Sequence, residues 1–185
     1  MSYYFDKVDY ENKPGLNFDP ENYVAGGIVA WDMENQDWSW MVHLDLTTTK
    51  SEFQALIYAT PTVADLDGDG KYEIVVGSSL GLLYILDGES GFVRRYFPMQ
   101  FHSIQAQVAV GDVLGGRDLE IIVADMGGTV AVINIEGDVL WDVQLSGKLP
   151  FTPTLGDVNG DGKMDIVVAT VSPDVCDAFL LCDAD

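Results

Sequence analysis

The chain has 185 residues, 48% of them hydrophobic and 11% aromatic, with a formal net charge of −21. It can bury a sizeable core as one domain, and its apolar content excludes an acidic disordered chain. The charge argues strongly against nucleic acid or an anionic membrane surface as a partner, and no apolar run reaches the roughly 18 residues that a membrane span needs.

The start, Met1-Ser-Tyr-Tyr-Phe-Asp6, lacks the basic and apolar regions of a signal peptide. A secretion signal or membrane anchor is therefore expected outside this segment, and direct membrane insertion by the segment is not. Residues 1–20 carry Pro14 and Pro20 without apolar periodicity and are expected to form an extended N-terminal arm that wraps another surface. The apolar pattern begins at Tyr23-Val-Ala-Gly-Gly-Ile-Val-Ala-Trp31, turns at Glu34 to Asp37, and resumes with Trp38-Ser-Trp-Met-Val-His-Leu44. Trp38, Trp40, Val42 and Leu44 alternate as one face of a strand does. Core between sheets is the expected role of that face, with an aromatic ligand platform as the alternative. The pair reads as two strands of a sheet whose first strand is missing or supplied elsewhere.

After a polar connector over 47–56, Ala59 to Ala64 reads as a strand, and Asp65-Leu-Asp-Gly-Asp-Gly-Lys-Tyr-Glu73 follows. A hard cation such as Ca²⁺ takes six to eight oxygens at about 2.3–2.6 Å, and alternate side chains plus one backbone carbonyl supply most of them. Asp65, Asp67, Asp69 and Glu73 would give carboxylates and Lys71 its carbonyl, while Gly70 permits the turn. The alternative is a plain Asp/Gly-rich hairpin turn, but four like charges on nine residues repel one another without a counter-ion. The twelfth position is Val76, inside an Ile-Val-Val run that favours a strand. An EF-hand, which needs a bidentate Glu there and flanking helices, is excluded.

Expected strands continue at Glu73 to Gly77, Leu82 to Leu86 and Phe92 to Phe97, with a turn over Asp87-Gly-Glu-Ser-Gly91. Gln105 to Gly111, Glu120 to Asp125, Thr129 to Ile135 and Val139 to Leu145 repeat the series. Phe151 to Gly156, Asp165 to Val171 and Ala178 to Cys182 begin it again. Pro61 and Pro153 sit at matching offsets, and a residue that cannot donate to a ladder belongs on a strand with one free edge.

The acidic loop recurs at Asp157-Val-Asn-Gly-Asp-Gly-Lys-Met-Asp165, giving Asp157, Asn159, Asp161 and Asp165 as side-chain ligands and Lys163 as the carbonyl. With three carboxylates against four, it is expected to bind more weakly. The middle copy, Asp112 to Glu120, has Leu114 and Gly116 where ligands should be and is expected to be empty, with Arg117 paired to Asp118 or Asp112. Filling the two good loops would add four charges to −21 and leave −17, so most of the acidity is solvated surface. First positions lie 47 and 45 residues apart, the period of a propeller blade. The expected fold is therefore all-β, a β-propeller of four-stranded blades, with full blades at 57–98 and 104–146 and partial ones at 21–46 and 149–185. A partial propeller, or a piece of a larger one, is the reading this count favours over closure of the last blade by the N-terminal strands.

Cys176 and Cys182 are six residues apart, about 20 Å along a strand, beyond disulfide reach. They are expected to be free, buried, or paired outside this chain. His43 and His102 fall in different repeats, and neither Gly-x-Ser-x-Gly nor His-Glu-x-x-His occurs, so no catalytic residue is assigned.

The repeat Asp-x-Asp-x-Asp-Gly-x-x-Glu/Asp followed by Ile-Val-Val resembles the FG-GAP/VCBS repeats of integrin α-like β-propellers. Tyr23 to Val29, His43-Leu-Asp-Leu46, Pro61 to Gly70, Gly81-Leu-Leu-Tyr-Ile-Leu-Asp87 and Gly156 to Gly162 look most like the plant and algal "defective in exine formation" family, over about residues 21–172. The resemblance implies a non-catalytic, calcium-stabilised propeller that binds protein or glycan in an extracytoplasmic compartment, in adhesion or matrix assembly, secreted or at the cell surface. Two other readings stay open. One is an accessory subunit of a large complex, as in an organelle lumen, with the 1–20 arm docked on a neighbour. The other is a propeller-fold polysaccharide-active enzyme, which would need a cleft with paired acid and base groups.

Overall fold

The computed structural model describes residues 2–3, 20–116, 118–171 and 178–181. Among the described residues all regular structure is strand, apart from one 3-10 turn at Pro20–Asn22. The first sheet joins β1 (Ser2–Tyr3), β2 (Tyr23–Asp32) and β3 (Asp37–Thr48). The second runs β4 (Thr62–Ala64), β5 (Glu73–Gly77), β6 (Leu82–Asp87) and β7 (Met99–Gln100). β8 (Ala109–Gly111), β9 (Glu120–Ala124), β10 (Thr129–Ile133) and β11 (Val139–Gln144) make the third. β12 (Thr154–Gly156), β13 (Asp165–Ala169) and β14 (Ala178–Leu181) make the fourth. Every pairing is antiparallel between strands adjacent in sequence, so each sheet is a meander.

Strand alternation explains why the sheets stack. Successive side chains point to opposite faces, and here both faces are apolar. Val75, Leu83 and Ile85 of the second sheet pack on Ile121, Val123, Ala131 and Ile133 of the third. The other face of the third sheet, Ile122, Ala124, Val130 and Val132, meets Ile166 and Val168 of the fourth. Val76, Tyr84 and Leu86 meet Trp40, Val42 and Leu44 of the first. Each fully buried Val, Leu or Ile contributes about 1.5–3 kcal/mol, so three face-to-face layers dominate stability. β8 lies against both β4 and β12, and the Thr62 hydroxyl donates to the Val108 carbonyl beside it. The short first strands thus gather on one side of the stack, as the inner strands of propeller blades do. The fold is all-β, of β-propeller type.

The first blade is tied to the second by polar contacts as well. The Trp40 indole donates to the Gly88 carbonyl at 2.9 Å. Gly91 has φ +73°, and a Cβ there would come 2.5 Å from the Trp40 ring, so the 87–91 turn needs glycine for both conformation and space. The Tyr84 hydroxyl binds Asp45 Oδ1. Burial first, and then that aspartate, push the Tyr84 phenol pKa up.

Several expected elements differ. The strand over Phe92 to Phe97 does not form: Val93 makes one isolated bridge to Leu86, Tyr96 has φ +73°, and Pro98 has no N–H to give. The chain pairs again only at β7, against Leu82 and Leu83. The first strands are shorter than expected and begin after Pro61 and Pro153. Trp38 leaves the Trp40 face because a bulge falls between Ala30 and Trp31. It is 54% exposed and stands edge-on to Trp31, ring centres 4.6 Å apart. Of the arm, Ser2–Tyr3 pairs with Ala25 and Gly26 as the third strand of the first sheet. The rest of the arm through residue 19, Arg117 with its expected ion pair, and Cys176 and Cys182 lie outside the described residues.

Candidate functional site

Each acidic loop links the first and second strands of its blade, so the loops line one edge of the stack. Grooves separate neighbours: Asp67 and Leu66 face Asp118 and Glu120 across one, and Asp112 and Leu114 face Asp157 and Met164 across the next.

Loops 65–73 and 157–165 share one hydrogen-bond scheme. Asp65 Oδ1 accepts from the Asp69 N–H at 3.1 Å and Oδ2 from the Gly70 N–H at 2.9 Å. Asp157 accepts from Asp161 at 3.1 Å and from Gly162 at 2.9 Å in the same way, and also from Gly160 at 2.7 Å. Third-position oxygens, Asp67 Oδ1 and Asn159 Oδ1, accept from the fifth-position N–H at 3.3 and 2.9 Å. Fifth-position oxygens, Asp69 Oδ1 and Asp161 Oδ1, accept from Lys71 and Lys163 N–H at 2.8 Å each. The sixth-position glycines Gly70 and Gly162 have φ +88° and +89°, a conformation that a Cβ penalises. The Lys163 N–H, then the Asn159 amide, hold the Asp161 carboxyl below its usual range.

The ninth acid does something the sequence did not announce. Glu73 Oε2 accepts the Leu66 N–H at 2.9 Å, Asp165 Oδ2 the Val158 N–H at 2.8 Å, and Glu120 Oε2 the Val113 N–H at 2.8 Å. All three carboxylates are buried, at 2%, 1% and 7% exposure. Each staples the start of its loop to the second strand, a charge-assisted bond in a dry setting. Glu120 keeps this bond although its loop has Leu114 and Gly116 at the third and fifth positions.

The remaining ninth-acid oxygens diverge. Glu73 Oε1 takes Arg94 Nη1 at 2.6 Å, and Arg94 Nη2 reaches Asp67 Oδ2 at 2.9 Å. That guanidinium bond is the main reason the Asp67 carboxyl lies below its usual range. Asp165 Oδ1, by contrast, is buried with no hydrogen-bond partner. Sequence reasoning missed Arg94; an arginine twenty-one residues after Glu73 has no pattern to mark it.

Among the described residues one carboxylate trio converges within 4.8 Å: Asp65, Asp67 and Glu73. Asp69 stands outside it, and the Lys71 ammonium turns away to Glu89 at 2.8 Å. Asp157, Asp161 and Asp165 are not gathered as such a trio; the Asn159 amide donates to Asp161 Oδ2 at 3.0 Å instead. In loop 112–120 Asp112 Oδ1 accepts from the Gly115 N–H at 2.8 Å, and Leu114 is exposed. An oxygen-only donor set of carboxylates and one amide suits a hard cation, and the orphaned Asp165 Oδ1 is the atom a cation would satisfy. His102 lies 3.4 Å from the buried Asp125, whose oxygens accept N–H groups of His102, Gly127 and Thr129 at 2.9–3.0 Å. That constellation knits a turn.

The family model for the FG-GAP repeat matches residues 150–170, which hold β12, loop 157–165 and β13. No curated protein matches the chain in sequence, so the narrower likeness to the "defective in exine formation" family rests on sequence motifs alone. Among solved structures, BamB from Moraxella catarrhalis is similar at 18% identity and a TM-score of 0.46, over 86% of this chain and 43% of that one. The Neurospora crassa Pan2 WD40 domain is similar at 11% identity and a TM-score of 0.49, over 85% and 45%. The V. cholerae biofilm matrix protein Bap1 follows at 24% identity and 0.36, over 60% and 24%. The chain spans less than half the length of each, and the bladed architecture rests on the sheets' own pairing and packing.

Proposed function

We propose that the chain is a calcium-stabilised, non-catalytic β-propeller module that binds a protein or glycan, or serves assembly, in an extracytoplasmic compartment. The observation that carries this reading is one hydrogen-bond scheme, acidic oxygens held on the loop's own N–H groups, built twice on one edge of the stack. Asp65, Asp67, Asp69 and Glu73 with the Lys71 carbonyl would hold one ion. Asp157, Asn159, Asp161 and Asp165 with the Lys163 carbonyl would hold the other. Bound calcium supplies positive charge to carboxylates that otherwise repel, and so pins the link between first and second strands of two blades. Extracytoplasmic calcium is millimolar, enough for the weak sites of extracellular modules. The chain's charge of −21 favours partners met through cations or polar surfaces over nucleic acid.

Melting of the chelator-stripped chain with and without calcium tests this. A ligand at about a hundred times its Kd adds about 2.7 kcal/mol, which for this size raises Tm by roughly 5–10 °C. Asp157→Ala should remove part of the rise. An unchanged Tm would sink the calcium-stabilised reading.

A further inference from the structure

The two complete loops differ at one atom, and this difference deepens the calcium reading on which it rests. In both, the ninth acid spends one oxygen on the loop's own backbone. Its second oxygen faces a guanidinium in loop 65–73 and no hydrogen-bond partner in loop 157–165. We propose that Arg94 is a built-in counter-ion that competes with the metal at loop 65–73. That loop then keeps its shape without calcium, while loop 157–165 is the tighter and more calcium-dependent site.

The geometry supplies the reason. Arg94 bridges Glu73 and Asp67, two of the three converged carboxylates, with one nitrogen on each. A forked donor held on two acids is a strong, pre-organised arrangement. A cation entering there draws on the same two carboxylates and sits beside the guanidinium's charge, an unfavourable contact that is strong near a partly dry surface. Asp165 has the opposite problem, because a buried carboxylate oxygen without a partner is costly and calcium would relieve it. Carboxylate count alone ranks the loops the other way round, since it leaves out a cation already in place.

An NMR titration of the wild-type chain with calcium chloride separates the two loops without any substitution. The Gly162 amide should saturate first; Gly70 and the Arg94 Nε–H should move together at roughly tenfold higher calcium or more. Calorimetry then reads loop 65–73 alone in an Asp157→Ala background. Adding Arg94→Gln should tighten calcium binding there roughly tenfold or more while lowering the calcium-free Tm, whereas Arg94→Lys, which keeps the charge, should tighten it little. Saturation of Gly70 before or together with Gly162, or unchanged or weaker binding in Arg94→Gln, would overturn the competition and leave the calcium sites standing. Absence of calcium binding in every protein, Asp65→Ala included, would remove the calcium reading and this proposal with it.

Discussion

Loop 157–165 and loop 112–120 occupy the same place in adjacent blades, and they share the ninth acid's staple and the first acid's bond to the fourth-position glycine N–H. Asp165 and Glu120 each hold the N–H of the loop's second residue from a buried position. Loop 157–165 adds Asn159 and Asp161, whose oxygens accept backbone N–H groups, and a second positive-φ glycine, Gly162 at +89°. Loop 112–120 has the exposed Leu114 and Gly116 in those places. The ninth acid is therefore a determinant of the blade, and the third- and fifth-position oxygens with the sixth-position glycine are what the proposed cation site adds.

The largest expected effect breaks the staple. Glu120→Ala leaves the Val113 N–H unsatisfied and removes a charge-assisted bond, at a cost of about 2–3 kcal/mol in urea unfolding. The cost should be the same with and without calcium; a neutral substitution would mean that the ninth acid is not a blade determinant. Next comes conversion of the middle loop. Leu114→Asp, Gly116→Asp and Arg117→Gly together restore the ligand and glycine positions, and should add one calcium equivalent by calorimetry. The restored site should also give a calcium-dependent gain of about 1–3 kcal/mol. If the triple variant takes up no ion, the ligand set is not what separates the loops.

Asp112→Ala is smaller: losing the exposed turn bond to the Gly115 N–H costs about 0.5–1 kcal/mol, and the calcium-induced Tm rise should be untouched. The smallest effect lies outside the loops and depends on pH. The Ser90 hydroxyl and N–H hold the Asp87 carboxyl below its usual value of 3.8. A depressed folded pKa gives stability that is present above 3.8 and lost as pH falls through the folded value. The stability gap between wild type and Asp87→Asn should accordingly be open at neutral pH and close in acid, where urea midpoints across pH would read it.

Much of this architecture is legible in the residues. The Ile-Val-Val runs and the Ile-Ile-Val run became β5, β13 and β9 because both faces of those strands are apolar, and the Asp/Gly loops turned where their glycines allow. What escaped depends on distance in space or on backbone details without a letter of their own. Tyr96 at positive φ stops the strand expected over 92–97, and the bulge after Ala30 swings Trp38 out of the core. Ser2–Tyr3 finds Ala25 and Gly26 from across a long connection. Arg94 meets Asp67 and Glu73 only because the blade folds back. The ninth acids were read as ligands alone, since the N–H groups they staple carry no signature in the sequence.

Anomalous difference density from crystals grown in calcium would locate the ions themselves. A peak is expected in loop 157–165, a second of lower occupancy in loop 65–73 with Arg94 displaced from Glu73, and none in loop 112–120. A peak between Asp112 and Glu120, or no peak in either of the other loops, would contradict the proposed sites.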